Sequence, residues 1–303
     1  MSVVFIFIDG VGIGPESRYN PVMSTEWEAF DWLTDGQGLD DKAGTIQKKN
    51  LHFSPVDANL GVDGLPQSGT GQTALFTGMN AARIAGRHYG PFPHSTTRKL
   101  LKEKSLFHKV QKSGYKPSFI NAYPDRYIQK LKRTGRWNCS ALMTVSSGLN
   151  LNSEEEVKKG DALTAEITQK IWREKLGVSV PDLSPEEAAD RLLNSAENCD
   201  LVLFEYYLTD KAGHLKSKEM SHRVLSVLNR FLLHLLKSKG NEVTIVVSSD
   251  HGNMEDLSVK THTRNPVPLM VCGRGSDSIS DSTSIMDVPG IIQSLLVRPR
   301  EME

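Results

Sequence analysis

Val3-Val4-Phe5-Ile6-Phe7-Ile8-Asp9 is an unbroken run of β-branched and aromatic residues that stops at a carboxylate. A strand with apolar side chains on both faces is one sandwiched between two layers, as in a parallel sheet covered by helices on each side. Runs of the same kind recur at 117–122, 201–207, 243–247 and 267–272. Helical patterns lie between them. Leu100, Leu101, Leu106, Phe107 and Val110 share helical spacing before Gly114, and Val224, Leu225, Leu228, Leu232, Leu235 and Leu236 form a stripe that ends in Lys237, Lys239 and Gly240. Ser184-Pro185-Glu186-Glu187 starts a helix with a capping box and a proline at the first helical position. Strands alternating with helices predict an α/β fold, a mostly parallel central sheet with helices on both faces. The segment 123–190 carries weak strand signal and helical patches. It is expected to form a small cap inserted between the core segments 1–122 and 191–303.

The chain has 303 residues, 38% hydrophobic and 24% charged, with a formal net charge of zero. This composition supports a globular core and gives no electrostatic footing for a nucleic acid polymer or an anionic membrane. No apolar stretch reaches membrane-spanning length, and the run from Val3 to Ile8 is too short, and lacks the basic leader, for a signal peptide. Cys139, Cys199 and Cys272 are scattered without a Cys-x-x-Cys pair, which fits a reduced compartment. A cytoplasmic protein is expected.

In open α/β sheets ligands bind beyond the carboxyl ends of the strands. Asp9 follows the first strand, Asp210 follows 201–207, and Asp250 and His251 follow 243–249. Residues far apart in sequence thus aim carboxylate and imidazole at one edge, which is what a shared metal site needs. Adjacent Asp250 and His251 after a buried strand are a poor packing choice but a good pair of ligands, with Gly252 letting the backbone turn away. Asp210 and His214 lie one helical turn apart, and an N-cap Asp with a nearby surface His is the plainer alternative. His262 alone is an ordinary loop histidine that gains weight from the others. Asp9-Gly10-Val11-Gly12-Ile13-Gly14 is not a dinucleotide fingerprint, because Asp9 precedes the glycines and no helix clearly follows. The glycines could equally only shape a loop.

Leu65-Pro66-Gln67-Ser68-Gly69-Thr70-Gly71-Gln72-Thr73 precedes a helix-like run, and small residues with open amides at a helix start suit a phosphate. The Gly-Lys-Ser/Thr of a nucleotide P-loop is absent. A hydroxyl here is a candidate nucleophile, since a neighbouring metal lowers its pKa. The alternative is that Ser68, Thr70 and Thr73 only cap the helix. His52, His94, His108, His222 and His234 read as solvated or ordinary core residues.

These motifs, in this order, resemble the alkaline phosphatase superfamily, and within it the branch of cofactor-independent phosphoglycerate mutase and phosphopentomutase. The resemblance rests on 9–14, Asp210-x-x-Gly213-His214, Ser249-Asp250-His251-Gly252-Asn253 and His262-Thr263-x-Asn265-Pro266-Val267-Pro268. It covers roughly the first 120 and last 110 residues. It implies two divalent metal ions, one held by Asp9, Thr70, Asp250 and His251, the other by Asp210, His214 and His262. It implies Thr70 as nucleophile, from a spacing of eight residues to Gly78, with Ser68 competing. Manganese or zinc is favoured over magnesium because imidazole suits them better. The large substrate domain of the mutases is absent after the nucleophile helix, and no Cys-x-Pro-x-Arg sulfatase motif is present. The expected function is therefore a phosphomonoesterase or phosphodiesterase working through a phosphothreonine on a small-molecule phosphate ester. A phosphomutase and a non-catalytic phosphate-binding relative are the alternatives. Arg87, His88, Arg126 and Lys211 are candidate substrate contacts.

Overall fold

A computed structural model describes residues 1–280 and 282–297. The strands, in chain order, are β1 (Ser2–Ile8), β2 (Ile46–Lys48), β3 (Leu51–Val56), β4 (Pro117–Phe119), β5 (Asn121–Ala122), β6 (Leu163–Thr164), β7 (Leu201–Tyr206), β8 (Val243–Ser248) and β9 (Val267–Cys272). The α-helices are α1 (Glu28–Leu33), α2 (Ser68–Thr77), α3 (Ala81–Ala85), α4 (Arg98–Lys104), α5 (Leu106–Lys112), α6 (Asp125–Thr134), α7 (Cys139–Ser146), α8 (Glu154–Lys159), α9 (Lys170–Leu176), α10 (Pro185–Asn198), α11 (Leu208–Leu215), α12 (Lys218–Ser238) and α13 (Val288–Leu296).

The main sheet has the order β2-β3-β9-β8-β1-β7-β4, and β5 pairs with β6 beside it. β8, β1, β7 and β4 run parallel, as expected from their continuous apolar runs. β9 is antiparallel to β8, and β3 and β2 continue the alternation. The sheet is therefore mixed, and the expectation of a parallel strand at 267–272 is corrected. The physical reason lies in 249–266, which forms no helix. Without a crossover helix the chain returns directly and pairs antiparallel. The run at 117–122 divides at Ile120, and the helix expected over 100–112 breaks at Ser105, whose backbone is extended.

β1 is buried along its whole length and feeds both cores. Val4, Ile6 and Ile8 face a cluster built with α1, α10 and α12, while Val3, Phe5 and Phe7 face one built with α2, α4, α5, α7 and α13. Each such side chain contributes about 1.5–3 kcal/mol by leaving water. The Phe7 ring meets Phe76 of α2 edge-on at 5.5 Å, which fixes α2 against the central strand.

Part of the expected cap belongs to the core. α7 packs against α2 and α4, and α10 against α12 and β1. β5, α8 and α9 gather round a small cluster of Ala122, Val157, Ala162, Trp172 and Val180. Residues 298–303 of the expected core segment lie outside the described range. Among the described residues no helix is long and apolar enough to cross a membrane.

Phe7→Ala should cost about 3–5 kcal/mol of stability, as a fully buried aromatic leaves a cavity between β1 and α2. Chemical denaturation followed by circular dichroism measures it, and a cost under about 1 kcal/mol would show that β1 does not anchor α2 through this ring.

Candidate metal centre

Three neighbouring parallel strands end on the same edge and each delivers an acid. Asp9 leaves β1, Asp210 sits in the first turn of α11 just beyond β7, and Asp250 and His251 follow β8. His214 lies one turn along α11 from Asp210, and His262 comes from the loop entering β9. Asp9, Asp250 and His251 bring ligand atoms within 4.8 Å of one another, and so do Asp210, His251 and His262. His214 Nε2 completes the second group, 3.3 Å from Asp210 Oδ2.

Two imidazoles are oriented by backbone carbonyls. His262 Nδ1 lies 2.7 Å from Pro66 O, and His214 Nδ1 lies 2.9 Å from Lys260 O. A carbonyl oxygen only accepts, so Nδ1 carries the proton on both rings and Nε2 keeps the lone pair. Those two Nε2 atoms lie 3.1 Å apart, and His262 Nε2 is also 3.5 Å from Asp210 Oδ1. Acceptors converging on acceptors fit a cation. His251 stacks on His262 with centroids 3.8 Å apart, and its Nε2 lies 3.4 Å from Asp9 Oδ1 and 3.5 Å from Asp250 Oδ2.

The electrostatics point the same way. Asp9 Oδ1 and Asp250 Oδ2 are buried without a hydrogen-bond partner. Neither carboxylate pairs with a lysine or arginine among the described residues. Burial, then the charges of Asp250 and Asp210, hold the Asp9 carboxyl well above the usual carboxylate range, and burial with Asp210 does the same to Asp250. Burial and the neighbouring His262 push His251 well below the usual imidazole range. Divalent cations would remove the repulsion and take up the orphaned oxygens. The donor set therefore fits two metal ions. The Asp9–Asp250–His251 side is sealed, whereas the His214 side chain is 44% exposed, so the centre opens to solvent on the α11 side.

Glu255, which the motif reasoning missed, holds the loops around the centre. Its buried carboxylate accepts from Gly12 N at 2.9 Å, Asn253 N at 2.8 Å and Asn265 Nδ2 at 3.0 Å, and from the Thr263 hydroxyl. Loops from β1, β8 and the approach to β9 are thus tied to one anion. The only signal in the sequence is an acid two residues beyond Asn253. Asn253, in turn, donates to Asp210 Oδ1 at 2.6 Å. The glycines follow from this crowding. A Cβ on Gly10, where φ is +69°, would lie 2.8 Å from Asp210 Oδ1, and one on Gly252 would collide with Glu255 and Thr263.

The two candidate hydroxyls are not equivalent. α2 begins at Ser68, five residues before the helix-like run seen in the sequence, and the Ser68 Oγ lies 3.0 Å from His251 Nε2. Thr70, two residues further along α2, is fully buried. Its hydroxyl donates toward Gln67 O at 3.1 Å and accepts from Tyr89 N at 3.1 Å. The expected Thr70 ligand and nucleophile therefore points into the packing between α2 and the 86–92 loop, and Ser68 faces the centre. Of the substrate candidates, Arg126 and Lys211 line one cavity beside the centre. Arg87 lies over the Tyr89 ring, and His88 is bound to Val62 O at 3.2 Å, its pKa lowered by burial. That cavity also holds Glu205, which burial pushes up to about 7 and which accepts from the Ser140 hydroxyl.

Because burial raises the Asp9 and Asp250 carboxyls above their unfolded values, the metal-free fold should lose stability as pH rises from about 4. Asp250→Asn removes one of the charges with little change of volume. The metal-free variant should melt no lower than metal-free wild type at neutral pH, yet gain little from manganese or zinc. Wild type should gain about 3 kcal/mol at a hundredfold excess over Kd. Calorimetric melts with and without chelator decide this, and equal metal stabilisation of both proteins would remove Asp250 from the site.

Glu255→Gln places an amide donor where four donors converge. It should cost about 1–3 kcal/mol and weaken metal binding about ten- to a hundredfold, measured by thermal melts and metal titration. Unchanged metal affinity would reduce Glu255 to a loop fastening.

A 2,3-bisphosphoglycerate-independent phosphoglycerate mutase of Ehrlichia ruminantium (strain Gardel) is 29% identical over 135 residues, 41% of this chain and 27% of that protein. The mutase of Mycoplasma pneumoniae is 31% identical over 140 residues, 42% of this chain and 28% of its own. The aligned region thus spans about a quarter of the length of these curated relatives. Among solved structures, the PH0037 protein of Pyrococcus horikoshii superposes with a TM-score of 0.60 at 12% identity, covering 100% of this chain and 98% of its own. The alkaline phosphatase of the Antarctic bacterium TAB5 gives 0.57 at 12%, covering 97% and 98%. The phosphoglycerate mutase of Leishmania mexicana gives 0.53 at 12%, covering 100% and 96%. These likenesses show an alkaline phosphatase-like fold. The Metalloenzyme superfamily model matches residues 1–296, a span that holds the sheet and every side chain of the centre, and the chain belongs to that superfamily.

Proposed function

We propose that this chain is a metal-dependent phosphoric-ester hydrolase acting on a small-molecule phosphate ester, with Ser68 as its nucleophile. The observation that carries it is the Ser68 hydroxyl, 3.0 Å from His251 Nε2 at the start of α2, beside two clusters of metal-ligand side chains. Asp9, Asp250 and His251 would hold one divalent ion, and Asp210, His214 and His262 the other. Such ions supply positive charge to the attacking and leaving oxygens of an in-line displacement. The three histidines in the set favour manganese or zinc over magnesium.

Ser68 sits beside the subsite that Asp9, Asp250 and His251 would form, where a bound divalent ion would lower the pKa of its hydroxyl. Thr70 N donates to Tyr89 O at 2.9 Å and Gly71 N to Gln67 O at 2.8 Å, and the Gln67 side chain caps no amide, which leaves Ser68 N and Gly69 N at the start of α2 for an incoming anion. Lys211 follows Asp210 directly and lines the adjoining cavity, where it can offset charge on the non-bridging oxygens. Attack by Ser68 Oγ on phosphorus forms the O–P bond as the ester oxygen leaves, and water then cleaves the phosphoserine.

The alignments with phosphoglycerate mutases favour a second reading, a phosphomutase that returns the phosphoryl group to another hydroxyl of the bound alcohol. Release of inorganic phosphate separates the two, since a mutase yields an isomer and no free phosphate. The intact ligand set argues against a non-catalytic relative.

Ser68→Ala should lower ester turnover by about 10³-fold or more in manganese-loaded protein. Thr70→Ala should retain chemistry and lose about 1 kcal/mol of stability. Acid-quenched enzyme digested for mass spectrometry should carry phosphate on Ser68. Phosphate on Thr70, or full activity in Ser68→Ala, would show that the other hydroxyl reacts.

A further inference from the structure

One feature beside the centre has no part in holding metal: the cavity between α6, α9 and the end of β7, about 590 Å³ in volume. It adjoins the centre by construction. Lys211 in its wall follows Asp210, Tyr207 in its wall precedes α11, and Glu205 pairs in register with Phe7, two residues before Asp9. Four aromatic side chains, Tyr123, Tyr127, Trp172 and Tyr207, stand in its wall. Tyr123 and Tyr127 stack with centroids 5.4 Å apart at 29°.

The charged groups divide into two sets. Both carboxylates are engaged from within the fold. Glu166 accepts from Ile171 N at 2.7 Å and Trp172 N at 3.0 Å, and Glu205 accepts from the Ser140 hydroxyl. Arg126, Lys175 and Lys211 line the cavity, are exposed, and make no ion pair among the described residues. The amides in the wall are likewise held within the fold, Asn121 by the Glu205 backbone and Asn138 by Ala141 N and the Tyr123 hydroxyl. Flat aromatic surface and a guanidinium that can lie over a ring are plentiful. The volume falls in the range of sites that enclose a whole small ligand, and exceeds what a three-carbon phosphate fills.

We infer that this cavity binds the alcohol part of the phosphate ester and selects a flat, ring-bearing group of the nucleoside kind over an open-chain polyol. The inference rests on the phosphoric-ester reading of the neighbouring centre. Tyr123 and Tyr127 form the platform for the ring, Arg126 covers its outer face, and Lys211 stands between the cavity and the phosphoryl site.

Manganese-loaded wild type, Tyr127→Ala and Arg126→Ala are compared with adenosine 5′-monophosphate and glycerol phosphate as substrates. Wild type should prefer the nucleotide by tenfold or more in kcat/KM. Tyr127→Ala should cut that preference about tenfold, through KM for the nucleotide, as loss of one stacking partner does. Arg126→Ala, at an exposed position that cannot disturb the core, should cut it by a smaller factor. Preference for glycerol phosphate in wild type, or a preference unchanged in both variants, would overturn the inference. If neither ester is turned over, calorimetric titration with adenosine 5′-monophosphate separates the two claims. Binding that Tyr127→Ala weakens about tenfold would keep the cavity assignment while the hydrolase reading falls. No binding to wild type would remove the cavity assignment as well.

Discussion

Repulsion among Asp9, Asp250 and Asp210 is the constraint around which the rest of the structure is arranged. Three parallel strand ends bring carboxylates together where solvent cannot screen two of them, and no lysine or arginine answers Asp9 or Asp250 among the described residues. Such a cluster is costly as protein alone and becomes favourable once cations occupy it. The fold bears this cost at the end of its central strand. Every residue of β1 is buried, and both cores meet on its alternating side chains.

Much of this was legible from sequence, for a definite reason. A strand buried on both faces leaves a continuous apolar run, and an acid at its end breaks the pattern visibly. Asp9, Asp210, Asp250 and His251 could therefore be picked out, and the structure brings them together with His214 and His262. The choice between Ser68 and Thr70 was not legible, because it turns on where α2 begins. With the first helical residue at Ser68, that hydroxyl faces the centre and Thr70 faces the packed loop carrying Tyr89.

Other misses share a cause. Glu255 acts through backbone amides of distant loops, and no local pattern marks a carboxylate whose partners are Gly12 and Asn253. The β2–β3 hairpin and the antiparallel direction of β9 depend on how loops close rather than on periodicity. The expectation of an inserted cap at 123–190 rested on a loss of strand signal. The division of that segment into core helices α7 and α10 and a smaller unit around Trp172 depends on which faces find partners.

The stack of His251 on His262 has a consequence for how such a centre can be taken apart. The two rings lie 3.8 Å apart, and His262 belongs to one ligand cluster while His251 reaches into both. The two subsites share one aromatic wall. Neither is a self-contained module that could be transplanted alone, or redesigned for a different metal while its neighbour is left as it was. A substitution that rotates one ring withdraws the surface against which the other is set. Transfer to another scaffold therefore requires both loops, with their spacing, as a single piece.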